Sequence, residues 1–341
     1  MGEDDGVLPI LVVRMRVIVL RASPGRAPII GGDDAGAREV IRHQIEVANQ
    51  VMSQCHIRVR SSNEMDIVIA DPPGPCMLSV GEKYGLPSSG GEVRLTIDGG
   101  KLGPWNISGE LTPEQTARAL IRYIENAGFR TELTVGVRGS TDAFAQADLL
   151  VRRADGTLAE IGRWPHKPLT TDSMQSIDIG MVRLDDGLES YGVNEINMGT
   201  LEERTLLRAL SNKEPGTVEI FIVNWFEGSR KQGESFIASP AGTLGDAAIL
   251  DWRALGRART AYTFTHELGH LLLGDLSHPD SRGDRRTWLL MHSRASSAVG
   301  GPNRITEEQC SIMRARLEEL GSKPHPGLLL RGEGEVDGGR L

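Results

Sequence analysis

The period of apolar positions changes several times along the chain, and the changes mark its elements. Val12 to Leu20 is rich in β-branched and long aliphatic residues, which predicts a strand. A Pro/Gly-rich loop from Ser23 to Gly32 follows. Val40, Ile41, Ile45, Ala48, Val51 and Met52 then recur at three- and four-residue spacing. That is the period of an amphipathic helix, here from about Asp34 to Gln54, with Asp33 or Asp34 as its N-cap. His56 to Arg60 and Asp66 to Ala70 read as short strands, completing a βαβ-like opening. Gly74 to Gly91 reads as loop by composition.

A more compact pattern follows: strand Val93 to Ile97, loop, helix Thr112 to Ala127, and strands Thr131 to Val137 and Leu149 to Arg153. Thr112-Pro113-Glu114-Gln115 is a helix start, with a capping hydroxyl and proline at the first helical position. Gly128 stops that helix. Asp155-Gly156 predicts a tight turn before Leu158 to Ile161. Residues 90–165 therefore read as an inserted α+β module, with 1–89 and 166–322 as the two parts of the main domain. The module has no clustered His, Cys or carboxylates at ligand spacing, so its expected role is structural or substrate-contacting.

A helix near Leu201 to Leu210 precedes the most β-like run in the chain, Val218 to Trp225. Gly228 to Gly245 reads as loop. A helix is expected from about Arg257 to Leu273, then a long loop over 274–304 and a last helix from about Thr306 to Leu320. Glu307 and Glu308 fit its first turn, where the helix dipole favours acids. The Gly-rich tail, 323–341, reads as disordered.

Composition narrows the class. The chain has 341 residues, 39% hydrophobic and 25% charged, which is ordinary for a globular protein and excludes collagen-like and disordered classes. A net charge of −8 predicts no general attraction to nucleic acid or anionic membrane, and no apolar run has the length of a membrane span. The first residues, Met-Gly-Glu-Asp-Asp, are acidic where a secretory signal is basic. The expectation is a cytoplasmic or non-classically secreted protein, or a chain that starts after processing. Three cysteines, Cys55, Cys76 and Cys310, are too sparse for a disulfide framework, although a Cys55–Cys76 pair is compatible with the count. Cys310, at helical spacing, is expected to be buried.

The chemistry is concentrated in Thr265-His266-Glu267-Leu268-Gly269-His270-Leu271-Leu272-Leu273. On a helix, residues i and i+4 share a face, so His266 and His270 are placed to bind one Zn²⁺. Glu267 lies beside them as a general base that is not itself a ligand. The alternative, two unrelated histidines on an amphipathic helix, fits poorly with the fact that four of eight histidines fall between 266 and 292. A catalytic zinc takes three protein ligands and leaves one position open. Gly274 ends the helix and turns the chain back, which makes His278 the first candidate for the third ligand, with Asp275, Asp280 and His292 as alternatives.

His-Glu-x-x-His, then Gly, then His, then Met in a later turn resembles the metzincin clan of zinc metallopeptidases. Leu289-Leu290-Met291-His292 is similar to its Met-turn, which implies that Met291 lies beneath the metal. Ile305 to Arg314 is similar to its C-terminal helix, and the βαβ-like opening to its N-terminal subdomain. The likeness covers about 1–70 and 215–320. The spacing departs from the clan, because Gly274 is four and His278 eight residues after His270 where three and six are usual. Ser293 stands where some members carry a tyrosine.

The resemblance implies an α+β zincin fold with a twisted mixed sheet and an active-site helix. It further implies a peptide or protein substrate lying extended along an edge strand, in the region 235–250. The expected function is zinc-dependent endopeptidase, with His266, His270 and His278 as ligands and Glu267 as base. A zinc amidase of another class and a binding protein with a structural zinc site are the competing readings.

Overall fold

β1 (Leu11–Leu20) organises the molecule: most of its side chains are buried, which a strand achieves only when both faces of its sheet are covered. In the computed structural model, which describes residues 8–60, 66–136, 146–190, 199–237, 244–255, 262–293 and 304–321, β1 lies inside a six-stranded mixed sheet. β2 (Ile57–Arg60) pairs parallel with its first half and β3 (Ile67–Ala70) with its second half. β11 (Thr217–Val223) runs parallel along the other side, followed by parallel β13 (Ala247–Asp251). β12 (Gly233–Phe236) pairs antiparallel with β13 and ends the row.

One face of this sheet is covered by α1 (Asp34–Met52), α4 (Thr263–Leu273) and α5 (Glu307–Glu319). Ile41, Leu268, Leu271 and Met313 pack there against Val17, Ile220 and Leu250. The Asp33 carboxylate caps α1 by accepting from the Gly36 N–H at 2.7 Å. The opposite face is covered by α3 (Leu201–Leu210), with Leu206 and Leu207 against Ile18, Phe221 and Ile249.

A second core lies beyond α3. β4 (Met77–Gly85), β7 (Arg130–Gly136), β8 (Gln146–Arg152) and β10 (Gln175–Gly180) form an antiparallel sheet in the order β10-β4-β8-β7. α2 (Pro113–Asn126) packs on it, and β5 (Gly91–Ile97), β6 (Gly100–Ile107) and β9 (Ile161–Gly162) form a small sheet alongside. β4 and β10, which flank residues 90–165 in sequence, thus pair within this same layer. α3 is joined to it by buried ions: Arg204 Nε and Arg208 Nη1 donate to Asp148 Oδ2 at 2.8 and 2.5 Å. Burial alone would raise the Asp148 carboxyl, yet the two guanidinium groups hold it below its ordinary value.

The architecture is α+β with a mixed sheet, and several local expectations change. Gly74 to Gly91 contains β4, whose glycines weaken the strand pattern while Met77, Leu78 and Val80 are buried between β8 and β10. The segment expected as loop after Ile97 contains β6, reached by a turn at Asp98 and Gly99, both at positive φ. Gly228 to Gly245 contains β12. The helix expected from Arg257 begins at Thr263; residues 256–261, like the tail 323–341, lie outside the described residues.

Cys55 does not pair with Cys76. It forms a disulfide with Cys310 on α5, across a sequence separation of 255, because α5 packs beside the turn that ends α1. Cys310 is accordingly half-buried, while Cys76 is a buried free thiol in a small cluster with Met77, Leu150 and Ala209. Burial pushes that thiol up to about 12, so it is an inert packing group. Among the described residues, no helix is long and apolar enough to cross a membrane.

The disulfide closes a long loop, so its loss should cost about 2–5 kcal/mol. Urea unfolding of Cys310→Ser against wild type is the measurement. Thiol titration in denaturant checks the pairing directly: one reactive group before reduction and three after it. Three before reduction would show that the bond is absent.

Candidate metal centre

α4 is an unusually buried helix, with Phe264, Thr265, Glu267, Leu268, Gly269, His270, Leu271 and Leu272 all inside. It starts without a side-chain cap at Tyr262, whose ring is covered by the Arg304 guanidinium at 3.9 Å from the centroid. It ends at Gly274 in the left-handed region, φ 64°. A side chain there would also meet Arg316, since a Cβ would lie 3.0 Å from Nη1. Arg316, from α5, uses that space to donate from Nε to the Leu271 carbonyl at 2.9 Å and to pair with Asp246 at 2.7 Å. A cation thus satisfies the carbonyl end of the helix.

The turn at Gly274 sends the chain back over the helix and brings His278 to His266 and His270. The three Nε2 atoms are mutually close: 3.1 Å between His266 and His270, 3.2 Å between His266 and His278, and 3.3 Å between His270 and His278. Tetrahedral ligation at about 2.0–2.1 Å per bond sets neighbouring nitrogens about 3.3 Å apart, so the triangle has the size of one face of such a site.

The opposite ring nitrogens explain the orientation. His266 Nδ1 is 2.6 Å from the Leu290 carbonyl, and His270 Nδ1 is 2.7 Å from the Asp275 carbonyl. A carbonyl only accepts, so both rings carry their proton on Nδ1 and aim an Nε2 lone pair at the centre. The lone pairs of His266 and His270, 3.1 Å apart, repel unless a proton from His278 Nε2 or a cation lies between them. Among the described residues, this is the one group of His, Cys, Asp and Glu with metal-ligand geometry.

Burial, followed by the neighbouring imidazoles, lowers His270 and His278 from 6.5 to about 4. Both rings are therefore neutral, as ligands must be, at neutral pH.

The alternative third ligands serve as supports. The Asp275 carboxylate accepts from Ser277 N–H at 2.8 Å and Ser277 Oγ at 2.7 Å. Asp280 Oδ1 accepts from Ser293 N–H at 3.0 Å and Oδ2 accepts from Ser293 Oγ at 2.5 Å, with His292 Nδ1 at 3.9 Å from Oδ1. The loop carrying His278 is thereby tied to the turn whose Leu290 carbonyl holds His266. Met291 in that turn is fully buried against Gly269, where a Cβ would lie 2.5 Å from its Sδ. The glycine between the two helix histidines is what admits the methionine.

Glu267 is buried, with 6% exposure, and its negative charge acts on His278. Its Oε2 accepts from Ser235 Oγ on β12 at 2.6 Å. On the other face of β12, burial raises the Glu234 carboxyl, opposed by hydrogen bonds with Glu203 and Lys231. Sequence reasoning missed Ser235, Leu290, Asp275 as a carbonyl, and Ser293. No local signal exists for a backbone acceptor, and Ser235 sits 32 residues from the glutamate it contacts. Comparison with known protein families and with curated proteins gives no match.

Two outcomes follow from this geometry. If the three histidines hold a metal ion, Asp280→Ala should weaken its affinity, measured with Zn²⁺ by chelator competition, about 10–100-fold, because it frees the His278 loop. An unchanged affinity would show that the loop needs no tie. In the metal-free protein, unfolded histidines take up protons near pH 6.5 that folded His270 and His278 resist down to about 4. Stability should therefore rise with pH across that interval and be lost as pH falls through it. Melting temperatures against pH test this, and the slope should be shallower in His278→Ala.

Proposed function

We propose that this chain is a zinc-dependent endopeptidase of metzincin-like fold. The observation that carries the proposal is the convergence of three Nε2 atoms, two of them on rings anchored through carbonyls, beside a helix that also supplies a buried glutamate. Three neutral imidazoles are a donor set well suited to zinc. Among the described residues the cluster offers three ligands, which leaves one position open as catalysis requires, whereas a structural zinc site is closed by a fourth protein group. Further support comes from Met291 seated under Gly269 and from an antiparallel edge strand, β12, lying against the helix.

When bound at His266, His270 and His278, zinc supplies Lewis-acid chemistry: it acidifies water and polarises a carbonyl. The residues then divide the work. Glu267 accepts a proton from the attacking water as its oxygen bonds to the scissile carbonyl carbon. It returns that proton to the amide nitrogen as the C–N bond breaks, releasing amine and carboxylic acid, whose remaining proton passes to the amine to leave ammonium and carboxylate. Glu267 is 6% exposed, so little water reaches it.

Glu267→Gln should keep one zinc per chain and lower kcat on a peptide substrate by about 10²–10⁴-fold. His278→Ala should lose most of the zinc by elemental analysis. Undiminished activity in the glutamine variant, at full zinc content, would end the peptidase reading. Hydrolysis confined to small amides, with casein and peptides untouched, would favour the amidase reading instead.

A further inference from the structure

We propose that Ser235 and Gly233, on β12, are the positioning residues that fix the orientation of the Glu267 carboxylate for proton transfer. The inference rests on the peptidase reading of the site and adds to it the device that aims the base.

A helix fixes only the Cα of a glutamate. Its side chain has three torsions, and the last is broad, so the carboxylate needs external contacts to hold one orientation. Both contacts come from one strand. In a strand, residues i and i+2 face the same way, so positions 233 and 235 look at Glu267 together. Ser235 Oγ donates to Oε2 at 2.6 Å and also lies 3.3 Å from the Glu267 carbonyl. Ser235 is 2% and Glu267 6% exposed, so water does not compete for the bond.

At position 233 the contact is made by absence. A Cβ there would lie 2.4 Å from Glu267 Oε1, 2.6 Å from Cδ and 2.7 Å from Cγ. The backbone at Gly233 is not in the left-handed region, so any residue type suits its conformation. The missing side chain is explained by the glutamate alone. One carboxylate oxygen is thus tied by a hydroxyl and the other rests against a bare Cα.

The consequence is geometric. A hydroxyl and a bare Cα from one strand leave the Glu267 carboxylate a single resting place, and an error of about 1 Å between base and scissile bond costs on the order of 10²-fold in rate.

The test uses full-length zinc-loaded protein, as wild type, Ser235→Ala, Gly233→Ala and Glu267→Gln, with the Ser235→Ala/Glu267→Gln double variant. Zinc content, kcat and KM on a peptide are measured, with the affinities of a hydroxamate and a simple thiol. The hydroxamate binds metal and shares a proton with the adjacent carboxylate; the thiol touches metal only. Both single variants on β12 should keep their zinc and hold KM within about two-fold while kcat falls about 10–100-fold. Hydroxamate affinity should fall about ten-fold with thiol affinity unchanged, and Ser235→Ala should add no further loss in the Glu267→Gln background.

Unchanged kcat and hydroxamate affinity in both variants, loss only in proportion to lost zinc, or additivity with Glu267→Gln would overturn the proposal. Should Ser235→Ala fail to fold, Gly233→Ala decides, because its new methyl meets only the end of a side chain. Wild type that shows the hydroxamate pattern but cleaves no peptide would uphold the positioning and remove the peptidase reading. Wild type that binds neither zinc nor hydroxamate would remove both.

Discussion

Three imidazole nitrogens held within 3.3 Å of one another, two of them presenting lone pairs, are a state that a protein does not maintain without support. If protonated they repel as charges, and the two lone pairs repel unless a proton or a cation lies between them. The surroundings impose that arrangement from several directions. Carbonyls of Leu290 and Asp275 fix two rings through Nδ1. Asp280 and Ser293 bind the loop of the third ring to the turn behind the first. Met291 fills the space that Gly269 leaves, so the helix has a floor beneath the histidines.

The same economy of partners governs the helix. α4 buries nearly all its residues, including a glutamate, so both of its ends and every polar group need a partner from another element. α5 supplies one through Arg316, and the edge strand supplies another through Ser235. α5 is in turn bonded to the end of α1 by the Cys55–Cys310 disulfide, which links the first helix of the chain to the last described one. The histidine cluster is therefore held by elements far apart in sequence and closely tied in space.

α3 separates the two cores and joins them by unlike means. Toward the six-stranded sheet it offers leucines. Toward the antiparallel layer it offers Arg204 and Arg208, which pair with Asp148 and, for Arg204, also with Glu82 at 2.5 Å. Burying such ions is costly, and removing one partner leaves the others uncompensated, so the junction tolerates few substitutions. Its directional geometry fixes one orientation of the antiparallel layer on the helix, which a purely apolar contact specifies less strictly.

The sequence by itself determined what short-range rules govern. Periodicity located α1, α2, α3 and α5 because an apolar stripe and a cap are local properties, as Asp33, Thr112, Thr200 and Thr306 show. The i, i+4 spacing placed His266 and His270 on one face, and Gly274 announced the turn that brings His278 back. Tertiary structure decided the rest. β4, β6 and β12 are poor strands by composition and exist because neighbouring strands take up their hydrogen bonds. Cys55 chose Cys310 over Cys76 because helix packing, and not sequence distance, sets which sulfurs meet. Asp275, Asp280 and His292 looked interchangeable with His278 as ligands along the chain. Only the folded loop, which turns Asp275 to Ser277 and Asp280 to Ser293, leaves the imidazole as the side chain that faces the centre. A ligand type is legible in a sequence, but the direction in which it points is a property of the packed whole.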